Sequence, residues 1–271
     1  MNKALALMAF IFSITLASAE FSITTLNIDF TANKDGTVNA VETADILISG
    51  TDDIFSYTDH LNNSDVGTWM EYLGSNLLTL HVDRTYAKIS NINIRPQPIR
   101  NLNSLQQKAN GRIIITYDVG PYPNEGNATG MFFVNNIKPR SRQMELNEKA
   151  LSFIKSSSGY IVLDDRTTLN FIFPEGTNLM DANPPQTEES SDNGKYRISW
   201  NGMILPNFTL KVENSQTIVD EINSYFDSKM NSIQEYISTD QGKIMVGMVI
   251  FILGFIFFLS TKKASSKGGE K

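Results

Sequence analysis

The chain has 271 residues, 41% of them hydrophobic and 19% charged, a balance that excludes both a disordered chain and a polytopic membrane protein. Its formal net charge of −6 argues against nucleic-acid binding through phosphates. It contains no cysteine, which excludes thiol catalysis, cysteine-ligated zinc and a disulfide framework.

The N-terminus reads as a secretory signal. Lys3 precedes an apolar run from Ala4 to about Leu16, and Ala17-Ser18-Ala19 supplies the small residues that a signal peptidase needs. The expected cleavage lies between Ala19 and Glu20, giving a signal peptide of residues 1–19. A retained N-terminal anchor is the other reading; the shortness of the run speaks against it.

Residues 20–119 read as a first β-sandwich region. "FSITTLNIDF" alternates with a phase slip near Leu26 that suggests a bulge, and Asn33–Gly36 ("NKDG") turns it into "TVNAVETADILIS". Asp-Gly between alternating runs is a hairpin signal, since glycine accepts positive φ without strain. Further strands are predicted over Asp53–Thr58, Asn76–Val82, Tyr86–Ile94 and Arg112–Val119. Residues 120–215 form a second β-rich region, with strands in "GMFFVNNI", "GYIVLDDRTTLNFIFPEG", "YRISW" and "FTLKVEN". Arg142–Lys155 reads either as a short helix or as a linker with a strand near Leu151–Ile154, and Thr177–Lys195 as an exposed loop. The expected fold is mostly β: one long or two tandem antiparallel, Ig-like β-sandwiches.

From residue 216 the period changes. Val219, Ile222, Phe226, Met230, Ile233 and Ile237 recur every three or four positions, which predicts an amphipathic helical stalk over residues 216–241. It either docks on its own sandwich or the bilayer surface, or self-associates through the stripe. Ile244–Ser260 then gives 17 residues without a charge, about 25 Å of helix, near the lower limit for crossing a bilayer core, and reads as a membrane span. Lys243 flanks it on one side and Lys262 and Lys263 on the other, and the basic tail of residues 261–271 is expected in the cytoplasm. The region between signal and span carries a net charge of −10 on the exported side. The partners this layout implies are the lipid bilayer and either a protein partner or a second copy bound through residues 216–260.

Catalytic residue patterns are sparse. The two histidines, His60 and His81, fall in a predicted loop and a predicted strand, and read as surface or packed residues rather than a catalytic pair. Asp52-Asp53, Asp164-Asp165 and Glu188-Glu189 are adjacent acids, which on a strand point to opposite faces and do not chelate alone. No catalytic, cofactor-binding or metal-binding residue is assigned, and no cofactor is expected. Sequons at Asn62, Asn127 and Asn207 are possible N-glycosylation sites, all on the exported side.

Three stretches carry a family likeness: "NKDGTVNAVETADILI" with Asp35, Gly36, Val38 and Glu42; "RIIITYDVG" with Thr116-Tyr117; and "TTLNFIFPEG" with Phe173-Pro174. They resemble the ectodomain pattern of uncharacterised prokaryotic, archaeal-type single-pass surface proteins, and "NGKYRISWNG" adds to that look. The layout also resembles that of translocon-associated lumenal subunits. The resemblance implies a β-sandwich on one membrane anchor and contributes no catalytic residues. The expected function is therefore non-enzymatic binding or scaffolding at the cell envelope, or service as an accessory subunit of a membrane complex. The alternative is a calcium-dependent carbohydrate-binding or hydrolytic ectodomain using acids near Asp52-Asp53 and Asp181–Asp192.

Overall fold

A computed structural model describes residues 20–73, 79–121, 130–138, 141–192 and 194–215. The expected signal peptide, helical stalk, membrane span and tail lie outside these residues. No helix among the described residues is long and apolar enough to cross a membrane.

The first half comprises β1 (Glu20–Ala32), β2 (Val38–Ser49), α1 (Thr51–Asp59), α2 (Val66–Leu73), β3 (Lys88–Asn103) and β4 (Lys108–Gly120). The second comprises β5 (Phe132–Lys138), β6 (Ser141–Leu146), β7 (Ile161–Val162), β8 (Thr167–Phe173) and β9 (Thr177–Asn183). It ends with β10 (Glu188–Asp192), β11 (Lys195–Asn201), β12 (Ile204–Leu205) and β13 (Thr209–Ser215). A seven-stranded sheet has the order β10-β11-β8-β1-β2-β4-β3, a four-stranded sheet the order β5-β6-β13-β9, and β12 pairs with β7. The protein is mostly β, in a sandwich-like layout.

The large sheet favours the single long layout over two tandem sandwiches and corrects the expected strand direction. β8, β10 and β11 come from beyond residue 120 yet share a sheet with β1 and β2, and the described residues belong to one compact unit. Regions 20–119 and 120–215 therefore do not fold as separate sandwiches. The sheet is also not wholly antiparallel: β1 runs parallel to β8, with Leu26 opposite Thr167 and Thr31 opposite Ile172. Parallel neighbours need a long crossover, and here residues 33–166 lie between them, so no local turn signal marks the pairing.

The β1–β2 hairpin forms as its residues dictate. Asn33 N–H donates to Thr37 O at 2.8 Å, Gly36 N–H to Asn33 O at 3.0 Å, and Gly36 has φ +86°. A Cβ on Gly36 would lie 2.5 Å from Val134 Cγ2, so glycine serves both the turn and a close approach to β5. The expected slip near Leu26 is a register shift between Ile23 and Thr25.

Elsewhere local period competes with β propensity. Asp53–Thr58 is helical, not extended: Ile54 and Tyr57 are buried three residues apart, and Asp52 and Asp53 sit in the first turn of α1, where acids complement the helix dipole. Of the strand expected over Asn76–Val82, the described part is irregular, with Val82 in a lone bridge to Leu151. Thr177–Lys195 is largely exposed as expected but pairs as β9 and β10. β10 is a polar edge strand, which resists adding a further strand. Arg142–Lys155 resolves into β6, a 3-10 turn over Glu148–Ala150 and the bridge at Leu151.

Two kinds of cover protect the inner face of the large sheet. At one end the four-stranded sheet packs on it through aromatic rings: Phe132 on β5 lies 5.9 Å from Phe171 on β8, and Phe208 lies 5.0 Å edge-on from Trp200 on β11. At the other end α1 and α2 cover it, with Tyr57 and Trp69 fully buried and 5.4 Å apart. Tyr57 lies on Gly111 of β4, where a Cβ would come within 2.9 Å of its ring. Its hydroxyl hydrogen is shared between Gln97 O at 2.9 Å and Arg112 O at 3.0 Å, and burial pushes the phenol up to about 12.

Candidate functional site

β2 buries every second residue: Val38, Ala40, Glu42, Ala44, Ile46 and Ile48. Glu42 is thus a carboxylate in the apolar phase, only 3% exposed. On β4 the buried phase runs Ala109, Gly111, Ile113, Ile115, Tyr117 and Val119, which places Tyr117 one pair along from Glu42 on the same face. An ionised carboxylate at such a place needs donors on both oxygens.

Those donors are present. The Tyr117 hydroxyl donates to Glu42 Oε1. The backbone N–H of His81 donates to the same oxygen at 2.9 Å, and His81 Nδ1 lies 2.8 Å from Oε2. With two other donors already on this carboxylate, Nδ1 carries the proton and donates too. Burial, and then the charge of Glu42, push the Tyr117 phenol far above its ordinary value, so it stays a donor at every accessible pH.

His81 is delivered by the irregular segment between α2 and β3. Ser152 N–H donates to His81 O at 3.0 Å and Asp83 N–H to Ala150 O at 2.9 Å, stitching this segment to the one after β6. The Phe153 ring lies 4.8 Å from the imidazole. With Nδ1 turned inward onto Glu42, the ring edge left for the outside carries Nε2. Among the described residues no hydrogen bond reaches it.

His81 lines a groove of about 630 Å³. Phe21, Ile23 and Leu26 of β1 form one wall; Phe153, Ile154 and Val162 form the other. Ile154 is 80% exposed, an apolar side chain in water beside the groove mouth. Val162 N–H donates to Ile154 O at 2.9 Å and fixes the second wall. The groove's ionic boundary is Asp164 and Arg166: Arg166 Nε lies 3.2 Å from Asp164 Oδ1, and Nη1 donates to Ile23 O at 2.7 Å. Arg166 holds the Asp164 carboxyl below the usual carboxylate range. A smaller hollow of about 270 Å³ lies beside Asp45, Arg100 and Arg112.

The other expected site residues are scattered. His60 is packed, its ring stacked 4.6 Å from Tyr72 and its Nδ1 2.7 Å from Ser56 O, in surroundings separate from those of His81. His81 lies in a bend, not on a strand. Asp52 and Asp53 open α1, Asp164 and Asp165 lie in the turn before β8, and Glu188 and Glu189 lie on β10. No group of three or more metal-ligating side chains assembles among the described residues. Asn62 is exposed at the end of a 3-10 turn, and Asn207 is exposed in a turn with φ +46°. Glu20 opens β1. Ala19, Asn127, Lys243, Lys262 and Lys263 lie outside the described residues.

Sequence reasoning singled out Glu42, Tyr117 and His81 separately and did not join them. The available signal was the phase of Glu42, a charged residue in register with Val38, Ala40, Ala44 and Ile46.

No family model matches the chain, and no curated protein matches it. Among solved structures, native leukotriene A4 hydrolase from Saccharomyces cerevisiae is similar at a TM-score of 0.33 and 10% identity, over 78% of this chain and 32% of that one. M1 zinc metallopeptidase from Deinococcus radiodurans is similar at a TM-score of 0.31 and 10% identity, over 72% of this chain and 42% of that one. The chain thus spans less than half the length of either protein. At scores this low the likeness carries no functional weight.

Proposed function

We propose that the protein is a non-enzymatic, membrane-tethered binding module. Its β-sandwich lies outside the cytoplasm, and one C-terminal span over residues 244–260 holds it at the cell envelope. The observation that carries the binding half is the groove beside β1: a space of about 630 Å³ lined by apolar side chains together with His81, Asp164 and Arg166, within the size range of small-ligand sites. The placement rests on the sequence. The signal over residues 1–19 exports the bulk, the lysines at 243, 262 and 263 bracket the span, and the acidic exterior would not cling to an anionic leaflet. The likeness to archaeal-type surface proteins agrees with it. Sequons at Asn62 and Asn207 lie on exposed turns, where a glycan fits. The stalk of residues 216–241 carries the sandwich and offers a surface to a membrane partner or a second copy.

Crosslinking of the full-length protein in native membranes, followed by mass spectrometry, tests the reading. A specific membrane partner identifies an accessory subunit. Self-crosslinks concentrated between Thr217 and Ile237 identify a self-assembling surface protein. Crosslinks only to cytoplasmic proteins would contradict the placement.

A further inference from the structure

A histidine held at Nδ1 by a buried carboxylate has only Nε2 left for chemistry, and here the residue that carries it lines the groove. When an acid's carboxylate meets that nitrogen, the ring takes a second proton and becomes an imidazolium between two carboxylates: Glu42 behind, the ligand in front. Glu42 is already in place with its full set of donors, so the arrangement needs no rearrangement of the core. The groups facing the imidazole are Glu42 from β2, Tyr117 from β4, and Asp164 and Arg166 at the groove boundary, the last two already paired with each other. An alcohol would engage Nε2 without drawing a proton. A metal ion would find one imidazole and no further ligand cluster among the described residues.

We propose that the groove beside β1 binds a small amphipathic monocarboxylic acid, its carboxylate on His81 Nε2 and its apolar part between Ile23, Leu26, Phe153, Ile154 and Val162. This rests on the binding reading above and names the ligand class. Binding takes up one proton from solvent, placed on Nε2, and therefore strengthens as pH falls.

The chain has only two histidines, which makes the test direct. The full-length protein, labelled with ¹⁵N-histidine and held in lipid nanodiscs, is titrated with hexanoate and with phenylacetate, using methyl hexanoate as the uncharged control. His81→Gln assigns the signals. The expected result is a saturable shift at His81 Nε2 with His60 unmoved, and binding that tightens as pH is lowered from about 8 to about 6, by at most about tenfold per pH unit, the slope for one proton. His81→Gln should weaken binding at least about tenfold. Three results would overturn the proposal: no movement at His81 with either acid at about 10 mM, where even millimolar affinity would register; methyl hexanoate binding as well as hexanoate; or His81→Gln binding unchanged. If the acids fail while a membrane partner is still crosslinked, the ligand class falls and the binding reading survives. If the acids bind and the crosslinks are cytoplasmic, the envelope placement falls instead.

Discussion

Glu42 is a charge placed where the strand pattern calls for an apolar side chain, and its three donors decide whether the core tolerates it. Removing one donor should cost more than an average hydrogen bond, because the carboxylate stays buried when its partner leaves. Tyr117→Phe is expected to lower unfolding free energy by about 1.5–3 kcal/mol, read as a lower urea midpoint with an unchanged slope. A midpoint equal to that of the parent would show that Glu42 is not held by the phenol. A second residue-scale test concerns Asp45, which receives Arg112 Nε at 2.6 Å and Nη2 at 3.0 Å as a cross-strand pair. The Arg112 hydrogen bond holds the Asp45 carboxyl below its ordinary range. A depressed carboxylate contributes stability that is present above its unfolded value near 3.9 and lost as pH falls through its lower folded value. Because both side chains are more than a third exposed, the contribution should be under about 1 kcal/mol. Asp45→Asn should therefore narrow the stability gap between about pH 5 and pH 2 by no more than that, measured by denaturant unfolding. A steeper acid dependence in the variant would reverse the sign of this account.

Elements show how local pattern and distant packing divide the fold. Gly111 stands mid-strand in β4, where glycine weakens a strand unless something lies close above it. Here the ring of Tyr57 does. Gly111→Ala would place a methyl 2.9 Å from Tyr57 Cζ and 3.1 Å from Ile48 Cδ1, displacing α1 from the sheet. The expected cost is about 1–3 kcal/mol, measured by thermal unfolding, with a loss of near-ultraviolet aromatic signal. An unaffected melting temperature would mean that α1 is not seated on β4. The sequence foretold the elements whose signals are local. The Asn33–Gly36 hairpin, the alternation of β2 and β4 and the bulge after Ile23 were all legible. α1 reads as a strand because Tyr57 and Phe55 have strand propensity, and the helical spacing of Ile54 and Tyr57 is what overrides it. The parallel β1–β8 pair left no mark on either strand, since the alternation of β1 and the apolar run of β8 read the same whatever their direction. The site was half legible: Glu42 was out of place in its own strand, but nothing in "LLTLHVD" announced that His81 would meet it. That meeting depends on the stitching of residues 79–83 to 150–153, which only packing decides.

At the scale of the whole molecule, one sheet draws its strands from both halves of the chain, so residues 20–215 stand or fall together. Glu42 and Tyr117 meet midway along β2 and β4 on the buried face of that sheet, where His81 joins them. The groove lies beside β1 and takes His81 into its lining. In the proposed reading, the acidic exterior, the lysine-bracketed span and the basic tail give the module a side and a tether. The most direct test of that account is protease accessibility of the full-length protein carrying a C-terminal tag, in intact cells after the membranes have been shown to retain it through alkaline carbonate washing. The account predicts a carbonate-resistant protein whose sandwich is digested from outside while the tagged tail stays protected until detergent is added. Release by carbonate, or a tail digested in intact cells, would contradict it.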